Sequence, residues 1–416
     1  MYCTTHPENN KYIFEKKVEK ISPIRYNILI RLYCMHLRSQ TSTMKQSITL
    51  LHCADIHLDP VFAACTPEQA SARRDELRSA FCALLEYAKS SRTDLILIAG
   101  DLFEQEFVTP ALMELLCREF AAIPDCRIFI SPGNHDPLSA SSAYAKTEFP
   151  PNVFLFRSAQ ASCFDLDDLR VHVYGYAFLD HELTADPLEG LTLTHPGELN
   201  LLCAHGDLNA PASKKCPISS ARLAQIGFDY AALGHIHNAG GIRRLGNTYY
   251  GYSGCLEGRN FGECGVKGAY AVTLTKEDGQ LSADIRKLRF SRRRYEIAPV
   301  DLTGVTEASD AYARILEAAA PFDPDTTLRL ALHGETGASL LLSESYIRTQ
   351  LEGRLAALEI VNDTLPTFDE DALEKDPTLR GEFFRLLLPE LRSEDPQTRQ
   401  TAALALRLGL SALNGA

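Results

Sequence analysis

The chain has 416 residues, 45% of them apolar and 23% charged, enough for one large domain with an appendage or for two domains. Its 54 Asp plus Glu outnumber 42 Lys plus Arg, so a chain-wide field that attracts polyanions is excluded, and any nucleic-acid contact must come from a local basic patch. The twelve cysteines lie singly between Cys3 and Cys264 with no C-x-x-C pair, which fits reduced cytoplasmic thiols and argues against a disulfide framework or a structural zinc site.

The first 43 residues stand apart. Their apolar stretch "YNILIRLYCMHL" (Tyr26 to Leu37) is short, broken by Arg31, and follows Lys16, Lys17, Glu19 and Lys20. It is too short to span a bilayer and lacks a small-residue cleavage site. Residues 1–43 therefore read as a start-site extension, with Met44 as the natural start.

From Ser47 short apolar runs alternate with amphipathic helices: "SITLLHCA", a helix from Thr66 to Ser90, "DLILIAG", a helix from Pro110 to Ala122, then "CRIFIS". Leu77, Phe81, Leu84, Leu85 and Ala88 recur at helical spacing, and Thr66-Pro67 reads as N-cap and first helical residue. Alternating strands and helices imply an α/β core. Further runs at Asn152, Val171, Leu199, Asp229, Thr248, Ala269 and Ala283 are more closely spaced, which predicts a second, largely antiparallel sheet. The expected architecture is α/β, with two packed mixed β-sheets flanked by helices over residues 44–297. A βαβαβ pattern then gives a small α+β cap domain over 298–365, followed by a helical tail over 366–416. In that tail Asp376-Pro377 and Asp395-Pro396 read as helix starts.

The ends of the apolar runs carry the chemistry. The first run ends in Asp55-Ile56-His57, the second in Gly100-Asp101, the third in Gly133-Asn134-His135-Asp136. Later runs end in His205-Gly206-Asp207 and in Gly234-His235-Ile236-His237. Open α/β sheets bind ligands beyond the carboxyl ends of their strands, so five such ends converge on one crevice. Singly, each pattern is an ordinary loop; in this order, each behind an apolar run, they point to a metal centre.

This ordered set resembles the calcineurin-like metallophosphoesterase superfamily over about residues 47 to 290. The resemblance implies a two-metal site in which Asp101 bridges both ions, Asp55, His57 and His237 complete the first, and Asn134, His205 and His235 complete the second. His135 would approach the substrate without binding metal, and Asp136 would favour its charged form. A bridging carboxylate can hold two divalent ions roughly 3.5–4 Å apart for in-line displacement at phosphorus. Gly100 keeps a Cβ away from the metals, and in Gly234-His235-Ile236-His237 an extended backbone puts both imidazoles on one side. Mixed imidazole, carboxylate and amide donors suit manganese, iron or zinc better than magnesium, and manganese is the expected ion. Asp136 and Asp207, each near a histidine of the set, are candidate acceptors that orient imidazoles.

"LLHCADIHLD" and "YSGCLEGRNFGECGVKGAYAVTL" (Tyr252 to Leu274) resemble the bacterial DNA-repair exonuclease branch, its SbcD-like and YhaO-like members. That resemblance implies DNA as substrate and an SMC-like coiled-coil ATPase as partner, docking on the C-terminal helices. Whether the chain pairs with a second copy stays open. Arg243, Arg244, Arg259, Lys267, Arg286, Lys287, Arg289, Arg292, Arg293 and Arg294, interleaved with Phe261, Phe290 and Tyr295, form the local basic clusters. A solvated edge strand is the other reading of "RKLRFSRRR". The alternative function is a small-molecule or nucleotide phosphodiesterase or phosphatase, which needs no basic groove; a non-catalytic scaffold would not need the full ligand set.

Overall fold

The computed structural model describes residues 45–414 apart from 64, 338, 339 and 368, so the expectation for residues 1–43 lies outside the described residues. The chain starts with β1 (Gln46–Cys53), α1 (Pro67–Ser91), β2 (Leu95–Ile98), α2 (Pro110–Ala121), β3 (Arg127–Ile130), α3 (Ala143–Lys146) and β4 (Val153–Leu155). Thr66 caps α1 through a reciprocal box with Gln69, as its sequence predicts. The four strands run parallel in the order β1-β2-β3-β4.

A second sheet follows, from β5 (Ser162–Leu166), β6 (Val171–Gly175) and β7 (Leu199–His205), through the short pair β8 (Asp207–Leu208) and β9 (Pro217–Ile218), then α4 (Ser220–Ile226), β10 (Tyr230–Gly234), β11 (Arg243–Leu245) and β12 (Thr248–Tyr252). Its order is β11-β12-β10-β7-β6-β5. The expectation of a largely antiparallel sheet is wrong here. β6, β7, β10 and β12 are mutually parallel, and only the edge strands β5 and β11 run against their neighbours. The crossovers are loops or a two-turn helix instead of long helices, so close spacing mimics hairpins. The chain then returns to the first sheet with β13 (Gly268–Glu277) and β14 (Gln280–Arg289), an antiparallel hairpin that pairs with β1 on its open side.

The continuous apolar runs are explained by burial on both faces. In β2, Leu95 and Leu97 point between the sheets towards Leu199, Leu201 and Tyr230. Ile96 and Ile98 point the other way, against Leu77, Phe81 and Leu84 of α1 and Leu116 and Phe120 of α2. A third cluster, with Tyr176, Leu202, Leu223 and Phe228, covers the outer face of the second sheet. Each such side chain contributes about 1.5–3 kcal/mol.

Beyond this sandwich, β15 (Arg294–Asp301), α5 (Ala308–Ala319), β16 (Thr326–His333), β17 (Glu335–Thr336), α6 (Glu344–Leu351), β18 (Ala357–Asn362) and β19 (Leu365–Pro366) build a parallel sheet ordered β15-β16-β18 with its own core around Ile315, Leu330 and Ile347. The tail comprises α7 (Glu370–Lys375), α8 (Leu379–Leu391) and α9 (Pro396–Asn414). Asp395 caps α9 as expected, accepting from the Thr398 amide. Asp376 does not start α8: its carboxylate accepts from the Thr378 amide, and the helix begins at Leu379.

Glu257 sits where the sandwich meets β15. It is buried, and its oxygens accept from the amides of Arg292 and Arg293 at 2.7 and 3.0 Å. Burial pushes its carboxyl from 4.5 up to about 7. The folded state therefore holds this proton more tightly than the unfolded chain, and the contribution to stability is lost as pH rises from 4.5 through about 7. Glu257→Gln, which cannot ionise, should gain melting temperature relative to the parent between about pH 5 and about pH 8. A difference that stays flat or falls with pH would refute this.

Candidate metal centre

The parallel strands of both sheets deliver their carboxyl ends to one crevice. β1 leads into Asp55 and His57, β2 into Asp101, β3 into Asn134 and His135, β7 ends on His205, and β10 leads into His235 and His237. Asp55, His57, Asp101 and His235 all take positive φ, at 50°, 46°, 52° and 111°. A non-glycine residue in that region costs on the order of 1–3 kcal/mol. Local hydrogen bonds hold it there: the Ile56 and His57 amides donate to Asp101 O at 2.9 Å, and the His235 amide donates to the Asp55 carboxylate at 3.0 Å.

Two groups of donor atoms share Asp55, each within 4.8 Å, namely Asp55, His57 and His237, and Asp55, Asp101 and His205; a third joins His57, Glu104 and His135. Asp101 Oδ2 lies 3.3 Å from His205 Nε2 and 3.8 Å from His57 Nε2, so this one carboxylate faces the imidazoles of both groups. Asn134 Oδ1 is 3.1 Å from His205 Nε2, and the His235 ring lies 5.2 Å from that of His205. His237 Nε2 lies 3.2 Å from His57 Nε2. His235 thus stands beside His205 and His237 beside His57, both presented by a turn after β10 and not through the pleat of an extended segment.

The outer nitrogens are fixed in turn. His57 Nδ1 is 2.7 Å from Glu104 Oε1, His237 Nδ1 is 2.6 Å from Glu263 Oε1, and His205 Nδ1 is 2.9 Å from Ala99 O. In each case an acceptor takes Nδ1–H and leaves the Nε2 lone pair for a cation. Glycines keep the space open, though not as expected from sequence. A Cβ on Gly100 would lie 2.2 Å from His205 Nδ1, and one on Gly133 would lie 2.3 Å from Asp101 Oδ1. They make room for ligand side chains, not for the ions themselves. Buried carboxylates paired with imidazoles and an amide oxygen fit divalent metal ions.

Electrostatics matches this arrangement. Burial opposes the ionised Asp101 carboxylate, but the adjoining His205 and His57 reverse that and hold it well below the usual range. Burial likewise opposes charge on His205, and Asp101 and Asp55 outweigh it, raising the ring to about 9. His57 is lowered, chiefly by burial.

Glu104 and Glu263 were not legible as site residues. Glu104 uses one oxygen for His57 and the other for His135, whose Nδ1 lies 2.8 Å away. Burial raises its carboxyl, and the two imidazoles bring it down to about 2. Arg259, half-buried beside them, contacts Glu263 at 2.9 Å and Glu104 at 3.6 Å. The only advance signal was position, Glu104 three residues past Asp101.

Asp136 requires a correction. Expected to hold His135 in its charged form, it turns away into the protein and accepts from the amides of Asp101, Leu102 and Gly133 and from the Tyr144 hydroxyl, at 2.6–3.1 Å. It ties the β2 and β3 ends together. The carboxylate on His135 is Glu104, whose hydrogen bond raises the imidazole. Asp207 does face a histidine, lying 3.4 Å from His235 Nε2. The His135 ring is 46% exposed and sits edge-on to His57, 4.9 Å between centroids, with no partner on Nε2 among the described residues.

The model for the calcineurin-like phosphoesterase family matches residues 48–239. The chain is 27% identical over 317 residues to the uncharacterized metallophosphoesterase YhaO of Bacillus subtilis, which spans 72% of this chain and 74% of that protein. It is 29% identical over 265 residues to the DNA double-strand break repair protein Mre11 of Aeropyrum pernix, spanning 60% of this chain and 63% of the relative. Among solved structures, vacuolar protein sorting 29 from Cryptosporidium parvum covers 59% of this chain and 99% of its own at 13% identity, with a TM-score of 0.28.

The neighbours His135 and Asp136 should respond in opposite ways. His135→Ala should keep the melting temperature and metal content while lowering hydrolysis by about 10²–10⁴. Asp136→Ala orphans buried donors and should cost at least about 3 kcal/mol in urea unfolding. Loss of metal from the first variant, or unchanged stability of the second, would reverse these assignments.

Proposed function

Because residues 48–239 form a calcineurin-like metallophosphoesterase domain, we propose that this chain is a two-metal phosphodiesterase that acts on DNA from an end. The observation that carries the reading is the Asp101 carboxylate facing two ligand sets, with the exposed His135 ring beside them. Divalent ions, manganese in our reading, supply a water-derived nucleophile and neutralise charge at phosphorus when bound. Asp55, His57 and His237 would hold one ion and Asn134, His205 and His235 the other, with Asp101 between the two sets. Glu104 accepts Nδ1–H of His135, which leaves Nε2 as the nitrogen that hands a proton to the leaving oxygen. Glu104 also orients His57, so it couples the acid to the ligand field. DNA as the substrate rests on the similarity to Mre11.

One finding favours the smaller-substrate alternative. Much of the expected basic patch is spent internally: Arg259 on Glu263, Lys267 on His237 O and Asn238, Lys287 on Ser253 O, Arg293 on Glu76 and Arg294 on Glu296. Arg286 on the edge strand β14 remains largely exposed. The partner reading keeps the SMC-like ATPase for α8 and α9. Phe384, Leu406 and Leu410 form their core, while Leu379, Leu386, Leu404 and Leu408 face solvent.

Manganese-dependent release of label from the ends of a linear duplex, lost in Asp101→Asn, is the expected result. Cleavage of a nitrophenyl phosphodiester with no release from DNA would select the small-molecule enzyme instead. Truncation after Lys375 should spare cleavage of the small diester and abolish co-purification with the ATPase; retained co-purification would dismiss that partner surface.

A further inference from the structure

A second group of ligand-type side chains lies at the other end of the second sheet. His172 on β6 is almost fully buried, and both ring nitrogens meet carboxylates: Nδ1 is 2.6 Å from Asp165 Oδ1, and Nε2 is 2.9 Å from Glu198 Oε2. The exposed His195 ring stacks on it, 4.4 Å between centroids and 13° between planes. Donor atoms of His172, His195 and Glu198 all lie within 4.8 Å of one another. Asn200, beside His172 in the sheet, stands five residues before His205 on β7, roughly 16 Å along the strand at 3.3 Å per residue. The group is therefore separate from the catalytic crevice.

Its surroundings are built to hold it. Asn200 is the register partner of His172 on the adjoining parallel strand, so both side chains leave the same face. Its Nδ2 donates to the carbonyls of His195 and Glu198 at 2.9 and 2.8 Å, which fixes the turn that presents those two ligands. Its Oδ1 is buried and has no hydrogen-bond partner. Arg170 holds the other Glu198 oxygen, Oε1, at 2.9 Å. A simple ion pair of a charged His172 with two carboxylates does not account for the stacked His195.

We propose that His172 Nε2, His195 and Glu198 Oε2 bind a divalent ion of the zinc type, with Asp165 accepting Nδ1–H of His172 behind it. Two imidazoles and a carboxylate are a donor set that zinc accepts, and a carboxylate behind the ligating imidazole fixes its tautomer. Cys163 lies on the Asp165 side and donates its thiol hydrogen to Asp165 Oδ1 at 3.4 Å. The ion belongs on the Nε2 side, where the stacked His195 and the Glu198 carboxylate both stand. The ion displaces the hydrogen between His172 and Glu198 and ties the 194–198 turn to the edge hairpin of β5 and β6. Cysteine spacing gives no hint of it, because the ligands are imidazoles and a carboxylate.

The test is zinc stoichiometry on the full-length protein, stripped with chelator and reloaded with zinc alone. The parent should retain one more zinc per chain than His195→Ala/Glu198→Gln, and zinc should raise the melting temperature of Asp101→Asn, whose catalytic centre is impaired. Asp165→Asn should weaken this site by about 10–100-fold, while the His195 and Glu198 variant keeps phosphodiester hydrolysis. Zinc-edge anomalous scattering from crystals of the parent reads the site without any variant. Equal zinc content in the parent and the double variant, or no anomalous peak beside His172, would overturn the proposal.

Discussion

The crevice depends on one buried charge. Asp101 is 1% exposed, and a carboxylate there would be neutral by burial alone. It ionises because His57 and His205 flank it, and they stand close because their strands belong to two different sheets packed face to face. The sandwich therefore exists in a strict register: slide one sheet by a residue and Asp101 loses His205, whose Nδ1 is anchored on Ala99 of the first sheet. The left-handed backbone at Asp55, His57, Asp101 and His235 is the local cost of aiming four side chains at one point.

Around this centre runs a layer of carboxylates set on the outer nitrogens of the histidines. Glu104 binds two imidazoles at once, Glu263 binds a third, and Arg259 lies between the two acids. Burial opposes the charge on both acids; His57 and His135 keep Glu104 ionised, and His237 with the guanidinium does so for Glu263. Position and tautomer of three histidines are thereby set by a three-residue salt network, and the ligand field and the exposed His135 share one of its members.

What could be read in the sequence followed from strand geometry. A run buried on both faces must end somewhere, and Asp55, Asp101, Asn134, His205 and His235 mark those ends by type. Glu104 and Glu263 were hidden because a lone acid gains its role only from what folding puts next to it. Asp136 misled for a simpler reason: adjacent residues point to opposite sides, so the neighbour of His135 in sequence is not its neighbour in space. The antiparallel expectation for the second sheet failed because spacing measures connection length and not direction. Counting arginines failed because their partners, such as Glu76 for Arg293, come from elsewhere in the chain.

The hairpin of β13 and β14 carries a consequence for biogenesis. β1 pairs with β2 early, but its other edge waits for β13, more than 200 residues later, from Gln46 against Lys276 to His52 against Tyr270. At a synthesis rate of about 5–20 residues per second, that edge stays unpaired on the ribosome for on the order of ten seconds or longer. Contacts of such long sequence separation fold slowly, so the strand that leads to Asp55 and His57 is enclosed late. Assembly of the crevice is a late event, and until then β1 presents an unpaired strand edge open to wrong pairing.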